Sequence, residues 1–399
     1  MNLSAFRKAG HWPTLLSAFV YFDISFMVWV LLGALANSIV PDLGLSPSAK
    51  GFMVALPILS GAALRLVLGV LADSVGCRRI ALLGLAITLV PLLLGWLWAD
   101  SFPKVLLVGL MLGVAGASFA VALPLASRWY PPQYQGLAMG IAGAGNSGTA
   151  LATFFGPQLA DNFGWHAVFG LAMLPIVAAM LIVFFCAKDS PTQPAPKPLS
   201  QYIRVLRYPD TWWFNVLYSI TFGGFVGLAS FLNIFFHDQY QLKPTHAGYF
   251  TTFAVVAGSM LRPVGGHLAD RFGGVRLLIV IFISVAAVMI AVAALPALPV
   301  VAALLFVGMG LLGMGNGAIF QVVPQRFPQE IGVITGIVGA AGGLGGFLLP
   351  NTLATMKQWT NSYSSGFLWF ALACLCAGAM IMALRRVWSR PAVMAQSAA

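Results

Sequence analysis

The chain has 399 residues, of which 60% are hydrophobic and only 8% are charged, and its mean hydropathy is +0.91. Soluble domains carry about 25% charged residues, so this composition excludes a water-soluble enzyme or binding module and indicates a polytopic membrane protein. The net charge of +11 does not indicate a nucleic-acid partner, because the basic residues stand singly or in pairs between apolar runs.

Twelve apolar runs are long enough to cross a bilayer, which takes about 20 residues in a helix. They fall into two sets of six, at about 13–36, 49–72, 79–99, 103–126, 135–159 and 165–187, and at about 211–236, 246–269, 275–295, 298–321, 331–355 and 364–386. The first run is longer than the apolar core of a signal peptide, so we predict that it is retained as span 1.

A polar, proline-rich stretch at 188–210 separates the two sets. We therefore predict an N-terminal six-helix half at 1–187, a cytoplasmic linker at 188–210 and a C-terminal six-helix half at 211–399. Fifteen Lys and Arg residues fall on the side that holds both termini and four fall in the opposite loops. By the positive-inside rule, both termini are predicted to be cytoplasmic, and the halves then run through the membrane in the same direction.

Spans 2 and 8 end in the same sequence pattern. The stretch LRLVLGVLAD at 64–73 returns as LRPVGGHLAD at 261–270. The small residues in this pattern let helix ends approach closely, and an aspartate is favoured at the N-terminus of a neighbouring helix. We interpret the two copies as a cytoplasmic gate latch made of Asp73, Arg78, Arg79, Asp270, Arg271 and Arg276.

Each copy of this pattern also places an arginine within the membrane. Arg65 and Arg262 are 197 residues apart, and each precedes its aspartate by eight residues, which is about 12 Å along a helix. Side chains lean toward the helix N-terminus, so both guanidinium groups are directed toward the midplane. Snorkelling to the cytoplasmic surface is the alternative. A buried charge costs about 2.5–3.5 kcal/mol on insertion scales, and the matched pair predicts a shared anion between the halves.

Spans 5 and 11 are rich in glycine, with AGAGNSG at 142–148 and GAAGGLGG at 339–346. Most of these glycines are expected to allow close helix packing. Asn146 differs, because an amide inside the membrane can donate hydrogen bonds to an anion. Asp23 in span 1 is the one carboxylate that lies well inside a predicted span.

The two six-helix sets and the latch motifs at 69–79 and 266–276 resemble the major facilitator superfamily. The paired arginines and the glycine motifs of spans 5 and 11 look like the nitrate/nitrite porter family. This resemblance implies an all-α membrane fold of twelve transmembrane helices in two parallel, pseudo-symmetric halves, with no enzyme activity and no cofactor. It also implies a substrate site made of Arg65, Arg262, Asn146, Tyr218, Phe222, Phe119, Gly145 and Gly342.

The chemistry of the residues agrees with a nitrate or nitrite anion as the partner, because a planar guanidinium group fits a planar anion through paired hydrogen bonds. We expect nitrate/proton symport by alternating access, with Asp23 as the proton-coupling candidate that pairs with Arg65 or Arg262 in the empty site and is protonated when the anion displaces it. A structural pairing of Asp23 with one arginine, nitrate/nitrite antiport without a proton, transport of another small anion and a transport-dead sensor are the alternatives. We further expect a lipid-embedded monomer in the bacterial inner membrane, with no metal, and a role in nitrate assimilation.

Overall fold

The computed structural model describes residues 3–191, 204–327 and 331–388. A short helix, Leu3–Ala9, precedes the spans. The first set comprises span 1 (Trp12–Trp29 and Leu31–Leu43), span 2 (Pro47–Val75), span 3 (Cys77–Leu97), span 4 (Phe102–Gly116 and Phe119–Ser127), span 5 (Pro132–Gly143, the 3-10 turn Ala144–Ser147 and Gly148–Phe163) and span 6 (Trp165–Cys186). The second set comprises span 7 (Pro209–Tyr240), span 8 (Pro244–Phe272), span 9 (Gly274–Ala293), span 10 (Leu298–Arg326), span 11 (Ile331–Thr360) and span 12 (Ser364–Trp388). The predicted fold of twelve membrane helices is confirmed.

Ten of the spans are, within the described residues, long and apolar enough to cross a membrane by length and composition. The other two are span 5, which breaks at Ala144–Ser147, and span 8, which carries Thr251, Thr252, Ser259 and Arg262. Irregular or polar helices are tolerated at membrane depth where protein covers them. Spans 5 and 8 pack against each other across the two sets, which gives both of them that cover.

The predicted linker lies mostly outside the described residues, because 192–203 belong to the part that the structure leaves undescribed. Its first residue is fixed to the first set. The backbone N–H of Lys188 donates to Thr14 Oγ1 at 2.9 Å, and Trp129 Nε1 donates to the Lys188 carbonyl oxygen at 2.9 Å. The division into two halves with a linker stays a prediction.

The alternation of the spans places Asp73 and Asp270 on one side of the bundle, which we call the latch side; the opposite side is the far side. The two sets are joined on the far side. Lys50 of span 2 forms an ion pair with Asp238 of span 7. Asn37 Nδ2 donates to the Asn233 carbonyl oxygen at 2.8 Å, and Asn233 Nδ2 donates back across the interface to Ala34 at 2.6 Å.

Glycines allow the same interface to close. A Cβ at Gly33 would collide with the backbone of Ser230, so the main chains of spans 1 and 7 touch there. Conversely, a Cβ added at Gly140 or Gly336, which lie toward the latch side of spans 5 and 11, would meet nothing within 4 Å. The contact between the sets is therefore tight on the far side and looser on the latch side.

Asp238→Asn is expected to lower the apparent melting temperature of the detergent-solubilised protein by about 3–8 °C. Lys50 and Asp238 have only 11% and 20% of their side chains exposed, and the Tyr363 hydroxyl donates to Asp238 Oδ2 at 2.8 Å. Burial, together with the Asp238 carboxylate, raises the pKa of Tyr363, so this hydroxyl remains a donor. The substitution leaves Lys50 buried without its counter-charge.

The matched control is Asp100→Asn. Asp100 also pairs with a lysine, Lys104, at 2.7 Å, but 71% of its side chain is exposed, and exposed pairs contribute little to stability. Equal melting shifts in the two variants would contradict a structural role for the far-side pair.

Candidate functional site

Arg65 and Arg262 extend into the interior between the two sets. Arg65 is 1% exposed; its Nε donates to the Gly116 carbonyl oxygen at 3.1 Å and its Nη1 donates to the Gly339 carbonyl oxygen at 2.6 Å. Arg262 is partly exposed. Snorkelling of Arg65 is therefore excluded, because its guanidinium group is held by carbonyl oxygens of spans 4 and 11.

Phe119 lies between the two arginines. The guanidinium carbons of Arg65 and Arg262 are 5.4 Å and 5.7 Å from the centre of its ring. Arg65 also lies 5.2 Å from the ring centre of Trp29 and 4.9 Å from that of Phe222. Since aromatic faces attract cations, these rings stabilise the buried charge without neutralising it.

Further aromatic residues close the space around the arginines, and we call the whole group the aromatic cage. Its members come from spans 1, 4, 7 and 10: Phe22, Phe26, Trp29, Phe119, Tyr218, Phe222 and Phe320. The rings of Tyr218 and Phe222 are stacked, with centres 5.1 Å apart and an interplanar angle of 8°. The structure therefore brings the three predicted aromatic residues to the arginines.

Four members of the cage were missed by sequence reasoning: Phe22, Phe26, Trp29 and Phe320. A signal for two of them exists in the sequence. Phe22 and Phe26 precede Tyr218 and Phe222 by 196 residues, a spacing close to that of the two arginines. The equivalent positions of spans 1 and 7 thus both supply rings to the cage.

Three polar atoms in the centre have no hydrogen-bond partner among the described residues: Arg65 Nη2, Arg262 Nη1 and the Tyr218 hydroxyl. All three can donate, and the Tyr218 hydroxyl lies close enough to interact electrostatically with both arginines. Buried donors are normally paired. The arrangement therefore offers converging donors and two positive charges to an anion.

The glycines of spans 5 and 11 bring helices to the site. A Cβ at Gly342 would lie 2.6 Å from Tyr218 Cδ1, and one at Gly145 would lie 2.7 Å from Phe22 Cδ1. Each glycine thus lets a helix pack on aromatic rings of the cage. Their contact with a substrate stays a prediction. Gly339, the first residue of the span 11 motif, supplies the carbonyl oxygen that holds Arg65.

Asn146 lies in the 3-10 turn that interrupts span 5 and is fully buried. In the orientation that satisfies both ends of its amide, Nδ2 donates to the carbonyl oxygens of Gly143 at 3.1 Å and Ala144 at 3.3 Å. The side chain thereby satisfies main-chain groups that the break would leave unpaired. A contact between Asn146 and an anion stays a prediction.

Asp23 does not pair with Arg65 or Arg262, so that expectation is wrong for this conformation. Its carboxylate instead accepts a hydrogen bond from Ser147 Oγ at 2.6 Å. The reason is the helical geometry of span 1, in which neighbouring residues face different directions. Phe22 points toward Phe119, with ring centres 5.6 Å apart, while Asp23 points toward the turn of span 5.

The first latch is engaged, but differently from the prediction. Asp73 forms an ion pair with Arg128 at the end of span 4. The aspartate at the N-terminus of span 3 is Asp189, whose Oδ1 accepts from the backbone N–H of Arg78 at 2.8 Å. Arg78 also donates from Nη2 to the Phe184 carbonyl oxygen at 2.6 Å, and Arg79 is exposed.

The second latch is open. Asp270, Arg271 and Arg276 are exposed. Arg326 of span 10 forms an ion pair at 2.7 Å with Asp210 at the start of span 7. The two copies of one motif therefore hold different states on the latch side, which the repeated sequence could not indicate.

Comparison with known proteins agrees with this architecture. The model of the Major Facilitator Superfamily matches residues 17–350. A relative from Bacillus subtilis (strain 168), named nitrite extrusion protein, is 32% identical over 369 residues, covering 91% of each chain. A relative from Thermus thermophilus, named probable nitrate/nitrite antiporter NarK1, is 32% identical over 375 residues, covering 85% of this chain and 84% of the relative. The solved structure of the xylose transporter XylE from E. coli, in a partially occluded inward open conformation, superposes with a TM-score of 0.74 at 14% identity, over 93% of this chain and 98% of that one.

Proposed function

The chain belongs to the major facilitator superfamily and, within it, to the nitrate/nitrite porter family, and on this basis we propose that it transports nitrate and nitrite across the membrane. As a member of this superfamily it is a transporter and not an enzyme. The observation that carries the substrate assignment is the central pair of arginines, of which Arg65 is buried and Arg262 is partly exposed. Aromatic rings contact both guanidinium groups and two carbonyl oxygens bind Arg65, and no acid pairs with either arginine among the described residues.

The shape of the site favours a flat anion. Arg65 Nη2 and Arg262 Nη1 are free to donate, and planar guanidinium groups match planar, delocalised anions. The stacked rings of Tyr218 and Phe222 form a flat wall beside them. A tetrahedral phosphate would need more hydrogen-bond donors, arranged in three dimensions, than this flat site offers.

The places where the two sets touch support transport by alternating access. We propose that the latch side and both termini face the cytoplasm of a bacterial cell, so that the far side faces outward across the inner membrane. The Lys50–Asp238 pair and the Asn37–Asn233 bonds then close the site toward the outside. Rocking of the two sets about Arg65 and Arg262, whose level in the bundle we call the arginine layer, would close the latch side and open the far side, which gives an outward-open state. We propose that a single chain, surrounded by lipid, carries out this cycle.

For the coupling ion we propose a proton that binds Asp23, giving nitrate/proton symport. Asp23 accepts from Ser147 in the turn that also holds Asn146, and the adjacent Phe22 packs on Phe119. Protonation would remove the charge that Ser147 binds and loosen the turn of span 5 against span 1. The proton would thus act through the helix break rather than through an ion pair with Arg65.

The second candidate is nitrate/nitrite antiport without a proton. Two observations favour it. Asp23 forms no ion pair with either arginine among the described residues. In addition, the Thermus thermophilus relative is named an antiporter and the Bacillus subtilis relative a nitrite extrusion protein.

Asp23→Asn is expected to abolish nitrate uptake driven by a pH gradient while leaving exchange against internal nitrite intact. The amide keeps the shape of Asp23 and its bond with Ser147 but cannot change its charge. Purified protein in proteoliposomes is assayed with an inward proton gradient in one set and with internal nitrite in the other. Ser46→Ala is the matched control, since Ser46 caps span 2 on the far side, away from the site.

Each result of this assay decides one question. Wild-type uptake that ignores the pH gradient and requires internal nitrite would contradict symport and establish exchange. Wild-type protein that moves neither nitrate nor nitrite under either condition would contradict the substrate assignment itself.

A further inference from the structure

Span 10 carries a buried amide, Asn316, that no part of the proposed mechanism uses. Its side chain is 0% exposed. Neither Nδ2 nor Oδ1 has a hydrogen-bond partner among the described residues. Leaving a buried polar group unpaired is costly, so the position of Asn316 relative to the arginines decides whether a partner from outside the chain can reach it.

The neighbours of Asn316 place it where spans 7, 8 and 10 meet. A Cβ at Gly315 would lie 2.8 Å from Thr221 of span 7, and one at Gly317 would collide with the backbone of Arg262 in span 8. One helical turn beyond Asn316, on the same face, the ring of Phe320 lies 6.0 Å from the Arg262 guanidinium carbon and 5.0 Å from the Tyr218 ring. Asn316 is therefore at the depth of the arginine layer, on the Arg262 side.

The pseudo-symmetry of the two sets also places Asn316 beside an arginine. Spans 4 and 10 correspond at a spacing of 200 residues, which relates Pro124 to Pro324. Asn316 then corresponds to Gly116, whose carbonyl oxygen accepts from Arg65 Nε. Asn316 is thus the second-set equivalent of a residue that directly contacts the first arginine.

The rings that pack around these two equivalent positions differ in size, and this difference accounts for an asparagine at position 316. In the first set, Gly116 leaves room for the indole of Trp29, which also packs on Gly61. In the second set, the smaller Phe225 packs on the equivalent glycine, Gly258. The space that the larger ring fills beside Arg65 is thus available to a side chain beside Arg262, and the side chain at that position is Asn316.

We propose that Asn316 donates a hydrogen bond to the transported anion beside Arg262 and that it contacts the oxygen that nitrate has and nitrite lacks. This inference rests on the proposed transport of nitrate and nitrite. Arg65 Nη2 and Arg262 Nη1 provide donors from the two sets, and nitrate has a third oxygen in the same plane. Thr221 of span 7, which packs against span 10 at Gly315, also has an unpaired hydroxyl.

Asn316→Leu removes both polar atoms at nearly constant shape and tests this proposal. In proteoliposomes the KM for nitrate is expected to rise about tenfold, as for the loss of a hydrogen bond to a charged group. The inhibition constant of nitrite against nitrate uptake is expected to rise less than about threefold. The rise in melting temperature that nitrate produces in detergent should shrink in parallel. Asn316→Ala provides a second variant if leucine does not fold.

The matched control is Ser230→Ala. Ser230 is also a buried, unpaired polar residue, but it lies at the far-side interface against Gly33. Its nitrate KM should equal that of the wild type. The melting temperature without anion separates folding defects from binding defects in every variant.

Three results would overturn the role of Asn316. The first is an unchanged nitrate KM in a folded variant. The second is an equal rise in the nitrate KM and in the inhibition constant of nitrite. The third is a lower melting temperature without anion together with an unchanged nitrate KM, which would show that the amide only stabilises the fold. Failure of the proposed function looks different, because wild-type protein would then show neither nitrate uptake nor stabilisation by nitrate.

Discussion

Arg65→Lys is expected to lower nitrate uptake at least about 100-fold in protein that still folds. The arginine donates to two carbonyl oxygens with Nε and Nη1, and its Nη2, which has no partner among the described residues, is the proposed donor to the anion. A lysine has one nitrogen and cannot reach the Gly116 and Gly339 oxygens and the anion together in this geometry. Losing two charge-assisted hydrogen bonds costs about 3 kcal/mol or more, which corresponds to the expected factor.

The measurement is initial uptake of nitrate into proteoliposomes at equal amounts of inserted protein. Arg385→Lys is the control, because Arg385 is exposed at the end of span 12 and the positive charge is all it is expected to supply. Uptake by Arg65→Lys within about tenfold of the wild type would contradict a planar, multidentate grip. It would favour a transporter that requires only a positive charge in its site.

Gly33→Val is expected to lower uptake about 100-fold by preventing closure of the far side. The main chain of Gly33 touches the backbone of Ser230, and no flexible side chain is present there to move aside. The added side chain therefore raises the free energy of the far-closed state, whereas the proposed state that is open on the far side, in which spans 1 and 7 separate, would gain no collision. The cycle stops because one of its two end states becomes inaccessible.

Gly33→Val is expected to lower the transport rate without weakening nitrate binding. Nitrate should still raise the melting temperature of Gly33→Val, since Gly33 lies away from Arg65 and Arg262, while flux is lost. Gly378→Ala is the control, because Gly378 lies in span 12 and an added Cβ would come no nearer than 3.7 Å to Phe282 of the same set. Alanine also favours a helix, so the flux of this variant should match the wild type. Equal flux in both variants would show that the far-side contact does not open during transport.

The sequence was sufficient for features that depend on pattern alone. Apolar runs of bilayer length gave the twelve spans. The matched spacing of Arg65 and Arg262 indicated a central pair, because residues at equivalent places in duplicated helices lie at equivalent depths. Tyr218 and Phe222 were expected at the site because of the resemblance to the nitrate/nitrite porter family and not from their pattern alone, and the structure shows them stacked beside Arg65.

Features that depend on which helix lies beside which could not be predicted. Asp73 and Asp189 are both acids near the start of span 3, and only the folded bundle decides that Asp189 caps that helix while Asp73 binds Arg128. Sequence equivalence even misleads, since Arg326 pairs with Asp210 of span 7 while Asp270 of the second latch is exposed. A one-residue difference along span 1 likewise separates Phe22, in the cage, from Asp23, against span 5.

The unequal burial of the two arginines makes the two sides of the proposed anion site different. Arg65 is enclosed and anchored, whereas Arg262 is partly exposed and makes its contacts mainly with rings. An anion held by both arginines, as proposed, would therefore have protein on its Arg65 side and water within reach on its Arg262 side. Exchange of that anion with solvent would then begin at Arg262, while Arg65 stays anchored to its two carbonyl oxygens.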